Sequence, residues 1–306
     1  EFGVIEKYFR PLTRGRKEAL GLKDDAALFD IPAGQQLVVT SDTLSAGTHF
    51  LSNEQPGFIA HKALRVNLSD LAAMGAKPLA YQLCVSFPGK PSEKWIKEFC
   101  AALAKDQKEF GIFCSGGDST VIKGPLSISI TAFGLVPKGK AIKRSGAKAG
   151  DLLVVTGPLG LAYAGLRMLQ KKLKPKDKAC VAAYQKPVPR LAATEAIRRY
   201  AHAVIDISDG LLADVGHICE ASRLAAHLEG SRVKFPKYIE IAEALSGGDD
   251  YELCFTTPIP LRQQVVMLAA ELDLPRVQAI IRKGYRDTID SYSAFRENDH
   301  RTQTGL

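Results

Sequence analysis

The sequence predicts an α/β protein that divides into two domains. Strand and helix signals alternate along most of the chain, and 306 residues are enough to build two separate cores. Residues 137–150 are polar, basic and rich in glycine, which is typical of a linker between two such blocks. We therefore expect a first α/β domain over residues 1–137 and a second over residues 138–306.

The first block has strand and helix signals in the order strand 36–40, helix 58–75, strand 79–87, helix 92–111 and strand 126–135. Gly75 is the expected end of the first helix, and Ser92 is a plausible N-cap of the second. Between that helix and the last strand, Phe113 leads into Gly116-Gly117-Asp118, where we expect a loop. The last strand alternates apolar residues with Ser and Thr, so we expect it to be half buried.

The second block repeats this alternation after the linker. Its strand signals lie at residues 152–156, 204–207, 224–228, 253–255 and 277–281. Its helix signals lie at residues 159–173, 189–200, 211–221 and 261–272. The chain from Asp290 onward is polar, which is typical of a flexible end.

Composition excludes several classes of protein. The net charge is +8, but the basic residues are scattered and form no stripe with aromatic residues, so we expect no nucleic-acid partner. Anionic substrates explain the positive excess equally well. None of the six cysteines forms a Cys-x-x-Cys pair, which favours core thiols in a reducing compartment over disulfides or zinc. We find no signal-peptide pattern and no bilayer-length apolar stretch, and therefore expect a cytoplasmic protein without a membrane partner.

Aspartates recur where apolar segments end, mostly beside Gly, Ser and Thr, and Lys or Arg is almost absent beside them. They are Asp24, Asp25, Asp42, Asp70, Asp118, Asp206, Asp209, Asp249 and Asp250. Carboxylates and hydroxyls are the oxygen ligands that hard cations such as Mg²⁺ prefer, with phosphates as further ligands. The chain contains no Gly-x4-Gly-Lys-[Ser/Thr] loop, no protein-kinase motifs and no Gly-x-Gly-x-x-Gly after a strand. The aspartates therefore predict a Mg²⁺–nucleotide enzyme of another type.

Each of these aspartates also has an ordinary structural interpretation. Asp70 lies inside a predicted helix, where it is either a solvated side chain or a metal ligand facing a cleft. Asp42 follows an apolar strand and could be a turn residue or N-cap. Asp206 alternates with Ser208 along one strand face, whereas Asp209 begins the next helix, where acidic residues are ordinary capping groups. The recurrence of the pattern, rather than any one aspartate, favours a site.

Seven runs along the chain resemble the thiamine-monophosphate kinase family. They begin at Lys23-Asp24-Asp25, Thr40-Ser41-Asp42, Lys62-Ala63-Leu64, Gly116-Gly117-Asp118, Arg144-Ser145-Gly146, Asp206-Ile207-Ser208 and Leu245-Ser246-Gly247. The resemblance extends from Phe2 to about Lys283. It implies a two-domain fold like that of aminoimidazole-ribonucleotide synthetase, in which the N-terminal domain forms a β-barrel-like interface of a homodimer. It also implies phosphorylation of thiamine monophosphate by ATP, through direct in-line transfer assisted by several Mg²⁺ ions.

The resemblance assigns roles by matching position. The expected Mg²⁺ ligands are Asp25, Thr40, Ser41, Asp42, Asp70, Asp118, Asp206 and Asp209. The expected ATP contacts are Gly117, Asp118, Arg144 and Ser208. The expected substrate contacts are His49, Asp249 and Phe295. No general base is expected, because the accepting phosphate is already largely anionic at neutral pH.

Three positions depart from the family pattern. Lys23 replaces a glycine, Leu161 replaces an aspartate, and Asp249 replaces a glutamate, which shortens its side chain by one methylene. Two alternatives therefore remain: another ATP-using synthetase of the same superfamily, or a nucleotide-binding sensor without turnover. Among the superfamily members, selenophosphate synthetase and the hydrogenase maturation protein are disfavoured, because the cysteines that mark their N- and C-terminal segments are missing.

Overall fold

The computed structural model describes residues 2–174, 177–258 and 277–280. A short helix, α1 (Phe2–Val4), and three further helical turns precede the first sheet. The elements of the first half are β1 (Gln35–Ser45), α2 (Pro56–Ala73), β2 (Lys77–Phe87), α3 (Glu93–Phe110), β3 (Phe113–Val121) and β4 (Ser127–Pro137). Helix α3 begins after Ser92, whose hydroxyl accepts the Trp95 N–H, as the sequence predicts.

These four strands form one sheet in the order β1-β4-β2-β3, with only the β2–β3 pair parallel. One face packs against α2, and Ile128, Ile130 and Ala132 of β4 are fully buried there. The other face carries hydroxyl pairs between β1 and β4, among them Ser41–Thr131 at 3.0 Å and Thr43–Ser129 at 2.7 Å. The predicted alternation of β4 is thus confirmed, with its Ser and Thr side chains on the outer face.

The second half contains an antiparallel sheet with the order β6-β7-β5-β8. Its strands are β5 (Leu152–Val155), β6 (Ala203–Asp206), β7 (Leu253–Thr257) and β8 (Val277–Ile280). Its helices are α4 (Leu161–Leu169), α5 (Lys178–Gln185), α6 (Thr194–Tyr200), α7 (Leu211–Ser222) and α8 (Ile241–Ser246). No helix among the described residues is long and apolar enough to cross a bilayer.

Helix α2 connects the two halves and is buried on almost every side. Its Ala72 and Ala73 belong to one apolar cluster with Val204, Leu253 and Phe255 of the second sheet. Nearby, the Ser69 hydroxyl donates to Asp206 Oδ2 at 2.8 Å. The helix therefore places groups from both sheets within reach of one another.

Several sequence-based expectations are wrong. Gly116-Gly117-Asp118 lies inside β3 and not in a loop, because it pairs in parallel with β2 after a register shift. Asp42 lies inside β1, opposite Ile130, and does not follow the strand. Residues 224–228 form no strand. The helix expected over residues 261–272 lies outside the described residues, and the domain boundary at residue 137 remains a prediction.

Candidate active site

Three carboxylates from three different elements meet where α2 crosses the junction of the two halves. Asp42 lies on the face of β1 that is turned toward α2, Asp70 lies near the end of α2, and Asp206 is the last residue of β6. Asp42 and Asp70 are close enough to affect each other's pKa, and the Thr40 hydroxyl donates to Asp70 Oδ2 at 2.6 Å. We refer to Asp42, Asp70 and Asp206 as the carboxylate cluster.

Burial and mutual repulsion raise the pKa values of the carboxylate cluster. Burial, followed by the neighbouring Asp70, raises the pKa of Asp42 to about 6. Burial also raises the pKa of Asp206 to about 7, again with a contribution from Asp70. At Asp70, burial raises the pKa and outweighs the opposing effects of Thr40, Asp42 and Arg144. Such crowding favours a divalent cation, because a cation replaces the shared proton and removes the repulsion.

Gly117 and Asp118 lie at the far edge of the same sheet. Cross-strand pairing aligns Asp42, Ile130, Leu83 and Gly117 in one row, three strand spacings long, which is about 14 Å. Asp118 belongs to the next row, beside Cys84, and is exposed on the outer face. Within one chain, Asp118 is therefore too distant, and on the wrong face, to bind the same ion as Asp42.

Two further expected ligands lie apart from the carboxylate cluster. Ser41 points to the outer face, where its hydroxyl is paired with Thr131, since successive side chains of a strand alternate. Asp25 is exposed before β1, and its backbone N–H donates to the Asp24 carboxylate. The pattern Thr-Ser-Asp therefore contributes Thr40 and Asp42 to one face and Ser41 to the other.

Asp209 belongs to a second group of possible ligands, with Asp214 and His217. The ligand atoms of these three residues lie within 4.8 Å of one another. Asp214 Oδ2 accepts the backbone N–H groups of Ser208 at 3.1 Å and Asp209 at 3.2 Å, and burial raises its pKa to about 7. Strand β6 ends at Asp206 and α7 begins at Leu211, so Ser208 and Asp209 both lie in the connecting loop. The predicted strand position of Ser208 and helix position of Asp209 are wrong.

His49 and Asp249, the two expected substrate contacts that the structure describes, lie on opposite sides of a buried lysine. The Lys62 ammonium donates to the His49 carbonyl oxygen at 2.8 Å and lies 3.0 Å from Asp249 Oδ2. Burial lowers the pKa of Lys62, whereas Asp249 and Glu54 oppose that effect. Phe295 lies outside the described residues.

Tyr251 connects this pocket to the carboxylate cluster. Its hydroxyl donates to Asp249 Oδ1 at 3.2 Å. Burial raises its pKa well above the usual value, and Asp249, Asp206 and Asp42 each add to the effect. Tyr251 therefore lies near both the group of His49, Lys62 and Asp249 and the carboxylate cluster.

The sequence assigns no role to Lys62 or Tyr251. Their local signals were a lysine within an apolar helical segment and a tyrosine after two aspartates. Neither pattern indicates its partners, since Lys62 contacts Asp249 from the other half of the chain and Tyr251 contacts the same carboxylate from two residues away.

The comparisons with known proteins agree on one family. The models for "AIR synthase related protein, N-terminal domain" and "AIR synthase related protein, C-terminal domain" match residues 23–136 and 148–282. Thiamine-monophosphate kinase of Escherichia coli K12 is 40% identical over 288 residues, covering 90% of this chain and 88% of that protein. This chain belongs to the thiamine-monophosphate kinase family. The Caulobacter vibrioides member of the family is also 40% identical, over 84% of this chain and 77% of its own length.

Solved structures of the thiamine-monophosphate kinase family have the same fold. The enzyme from Stenotrophomonas maltophilia superposes with a TM-score of 0.84 at 39% identity, over 92% of this chain and 94% of that one. AaThiL complexed with AMPPCP and TMP gives a TM-score of 0.75 at 26% identity, over 93% and 91% of the two chains. The hydrogenase maturation protein HypE of E. coli, at 19% identity and a TM-score of 0.78, shares the fold alone.

Proposed function

We propose that this protein transfers the terminal phosphoryl group of ATP to thiamine monophosphate, giving thiamine diphosphate and ADP. The observation that carries the proposal is the partly buried group of Asp42, Asp70 and Asp206 near His49 and Asp249, in a chain of the thiamine-monophosphate kinase family. A relative of the same fold has been solved with AMPPCP and TMP, which supports a site for both substrates.

The chemistry requires positioning more than proton transfer. The accepting phosphate has a second pKa of about 6, so it is already a nucleophile at neutral pH. The main obstacle is repulsion between two polyanions, which is about 4 kcal/mol for each pair of unit charges ~4 Å apart at an effective dielectric of ~20. Holding the reactants in line and balancing their charge therefore provides most of the rate enhancement.

The residues at the junction fit Mg²⁺. Asp42, Asp70 and Asp206, with the Thr40 hydroxyl, would hold it, and Asp209 with Asp214 offers a further group. Bound there, Mg²⁺ would neutralise phosphate charge during the transfer. The fit rests on crowded oxygen donors whose pKa values burial raises, a combination that an oxygen-seeking cation relieves.

A homodimer would bring β3 of the partner, with Gly117, beside this site. Strands β1 and β3 are the two edges of the first sheet, and the outer face exposes Leu37 and Val39. Closing two such sheets into one barrel by two-fold symmetry places β3 of one subunit beside β1 of the other. We include this arrangement in the proposal, with Gly117 of each subunit, which shares a row with Asp42, beside the carboxylate cluster of its partner, and with Arg144 and Ser208 contacting ATP.

A coupled ADP-release assay tests the reaction. The purified protein, ATP and Mg²⁺ are combined in parallel with thiamine monophosphate, free thiamine or an aminoimidazole-ribonucleotide precursor. We expect ADP release with thiamine monophosphate, together with equimolar thiamine diphosphate identified by mass. Release only with the ribonucleotide precursor supports a synthetase of the superfamily, and ATP binding without release under any condition supports a nucleotide sensor.

Thermal shift tests the Mg²⁺ requirement separately. A ligand at ~100 times its dissociation constant stabilises a protein by about 2.7 kcal/mol. We expect ATP to raise Tm clearly with Mg²⁺ present and little with EDTA. Equal shifts in both buffers contradict a metal-bridged nucleotide.

A further inference from the structure

Lys62 is a buried cation whose hydrogen-bonding capacity is fully used by its neighbours. Its side chain is 2% exposed, although lysine is almost never fully buried unless it is paired. Its ammonium contacts the His49 carbonyl oxygen at 2.8 Å, Asp249 Oδ2 at 3.0 Å and the face of Tyr184, 3.8 Å from the ring centre. An ammonium has three N–H donors, so two oxygens and one ring face account for all of them. Lys62 can therefore influence a ligand only through these partners.

The partners of Lys62 come from both halves of the chain. His49 follows β1, whereas Tyr184 lies at the end of α5 and Asp249 precedes β7. The Tyr184 hydroxyl also donates to the His49 carbonyl oxygen, at 3.3 Å. A single ammonium group thus holds a loop of the first half against a helix and a loop of the second.

Asp249 has an unusual backbone conformation for a residue with a side chain. Its φ is 69°, in the left-handed region, and the φ of Tyr251 is 50°. Such conformations persist only where their surroundings hold them. Lys62 and the Tyr251 hydroxyl each bind one of the two Asp249 carboxylate oxygens, which restricts the side chain to a single orientation.

We propose that Lys62 is a positioning residue that determines recognition of thiamine monophosphate. It fixes the distance between His49 and Asp249 across the junction and balances the charge of Asp249. This inference rests on the proposed thiamine-monophosphate kinase activity. Without the ammonium, Asp249 loses its cationic partner and is free to leave its strained conformation, and the His49 loop loses its link to the second half.

The effect should be selective for one substrate. Asp70 is the member of the carboxylate cluster that lies on the same helix as Lys62. It follows Lys62 by eight residues, so the two residues are about 12 Å apart along the helix axis. The nearest link from Lys62 to an expected ATP contact is the Asp249 backbone N–H, which donates to the Ser208 carbonyl oxygen at 2.8 Å and does not involve the ammonium. We therefore expect loss of the ammonium to disturb recognition of thiamine monophosphate more than binding of ATP.

The test is steady-state kinetics of Lys62→Met, with each substrate varied separately. We expect KM for thiamine monophosphate to rise about tenfold or more, as for loss of a hydrogen bond to a charged group, and KM for ATP to change less than about twofold. Lys62→Gln, which retains a donor without the charge, should change KM in the same direction. If Lys62→Met does not fold, the same measurement is made on Lys62→Gln.

Arg65→Met is the matched control. Arg65 is a buried basic residue on the same helix, but its main ion pair is with Asp106 of α3, at 2.7 Å. This variant should lower Tm while leaving the ratio of the two KM values unchanged. An equal change of that ratio in Arg65→Met and Lys62→Met would show a merely structural role and overturn the inference.

A double-mutant cycle with Asp249→Asn shows whether Lys62 acts through Asp249. We expect the effect of the double variant on KM for thiamine monophosphate to be clearly smaller than the product of the single effects. Multiplicative effects, or an unchanged KM in folded Lys62→Met, overturn the inference. Absence of thiamine diphosphate formation by the unmodified protein instead overturns the proposed function, so the two failures are distinguishable.

Discussion

Asp42 shows how the alternation of a strand decides which neighbours can share a site. Thr40 and Asp42 lie on the face of β1 near Asp70, whereas Ser41 between them pairs with Thr131 on the outer face. The three consecutive residues are therefore not equivalent, although the sequence resemblance assigns them the same role. If Ser41 contributes to a metal site, its backbone carbonyl or a partner subunit must take part.

Replacing Asp42 should lower catalysis without lowering stability. We expect Asp42→Asn to lower kcat by more than about 100-fold, which is beyond the 10–100-fold loss typical of a residue that only supports a metal ligand. In EDTA, its Tm should equal or exceed that of the unmodified protein, because one source of carboxylate repulsion is gone.

The measurements for Asp42→Asn are ADP release at saturating Mg²⁺ and thermal unfolding in EDTA. Asp30→Asn, which alters an exposed aspartate just before β1, is the control and should retain normal turnover. Normal turnover of Asp42→Asn would falsify the assignment of Asp42 to the metal site.

Asp250 should make stability depend on pH. Its carboxylate accepts the Gly160 N–H at 2.7 Å and the Ala162 N–H at 3.3 Å at the start of α4, and burial raises its pKa to about 7. An unfolded aspartate has a pKa of about 3.9, so the folded state retains the proton longer. The stability contributed by this group is fully present below that unfolded value and is lost as the pH rises through about 7.

Asp250→Asn mimics the protonated carboxyl and removes this pH dependence. We expect the Tm of the variant, minus that of the unmodified protein, to increase between pH 5 and pH 8. Other titrating groups are present in both proteins and cancel in the difference. A difference that stays constant with pH would show that the folded carboxyl titrates normally.

At the scale of elements, the pairing of β3 with β2 requires a glycine at position 117. Gly117 has φ of 151°, and a Cβ added there would collide with the backbone of Leu83 in β2. The neighbouring Gly116 has no such restriction, since the nearest atom to an added Cβ is Gln82 Nε2 at 3.9 Å. The close approach of two strands, rather than a turn, explains the second glycine of the Gly-Gly-Asp sequence.

Alanine at each of these two glycines provides a matched pair. We expect Gly117→Ala to lower the free energy of unfolding by about 1–3 kcal/mol, as overpacking does in a close-packed region, and to weaken ATP binding. Gly116→Ala should change stability much less. Urea unfolding of both variants measures the difference, and equal destabilisation contradicts the role of the Leu83 backbone.

The sequence correctly predicts the elements in which apolar residues recur with a clear helical or strand period. Helix α3 has a cap, an apolar stripe and Gly111 at its end, and β4 alternates strictly, so local chemistry is enough. The prediction of a loop at Gly116-Gly117-Asp118 is wrong because glycines favour turns locally, whereas pairing with β2 makes this segment part of β3. The short helices α5 and α8 were missed because eight and six residues carry too little periodicity.

Only those residues of the candidate site that belong to a family motif could be predicted from the sequence. The motif points to Asp42, Asp70 and Asp206, which the structure brings together. It gives no indication that Asp118 lies at the opposite edge of the sheet. Lys62 could not be found from local patterns, because its partner Asp249 lies far away in the sequence and is brought near by the packing of the two halves. Tyr251 lies only two residues from Asp249, but both residues have a positive φ, which the sequence does not indicate.

At the scale of the molecule, the outer face of the first sheet should mediate dimer formation. Val39 of β1 is 54% exposed on that face, and Val188, which lies in the second half of the chain, is 53% exposed. We expect Val39→Asp to yield monomers, because a charge in an apolar interface is costly to bury. Val188→Asp should leave the dimer intact.

Light scattering after size exclusion measures the mass of each variant. Turnover should fall together with the dimer if β3 of the partner completes the site. A Val39→Asp protein that remains dimeric places the interface elsewhere, and an active monomer contradicts the shared site.

The burial of α2 between the halves has a consequence for synthesis of the chain. The first sheet is complete once Pro137 has left the ribosome, but the apolar cluster around Ala72 and Ala73 of α2 is completed only by Leu253 and Phe255 of β7. A nascent chain therefore exposes an apolar helix surface and unneutralised carboxylates for much of translation. Such intermediates are prone to aggregate, so the first half should require a chaperone or the rest of its own chain before it is stable.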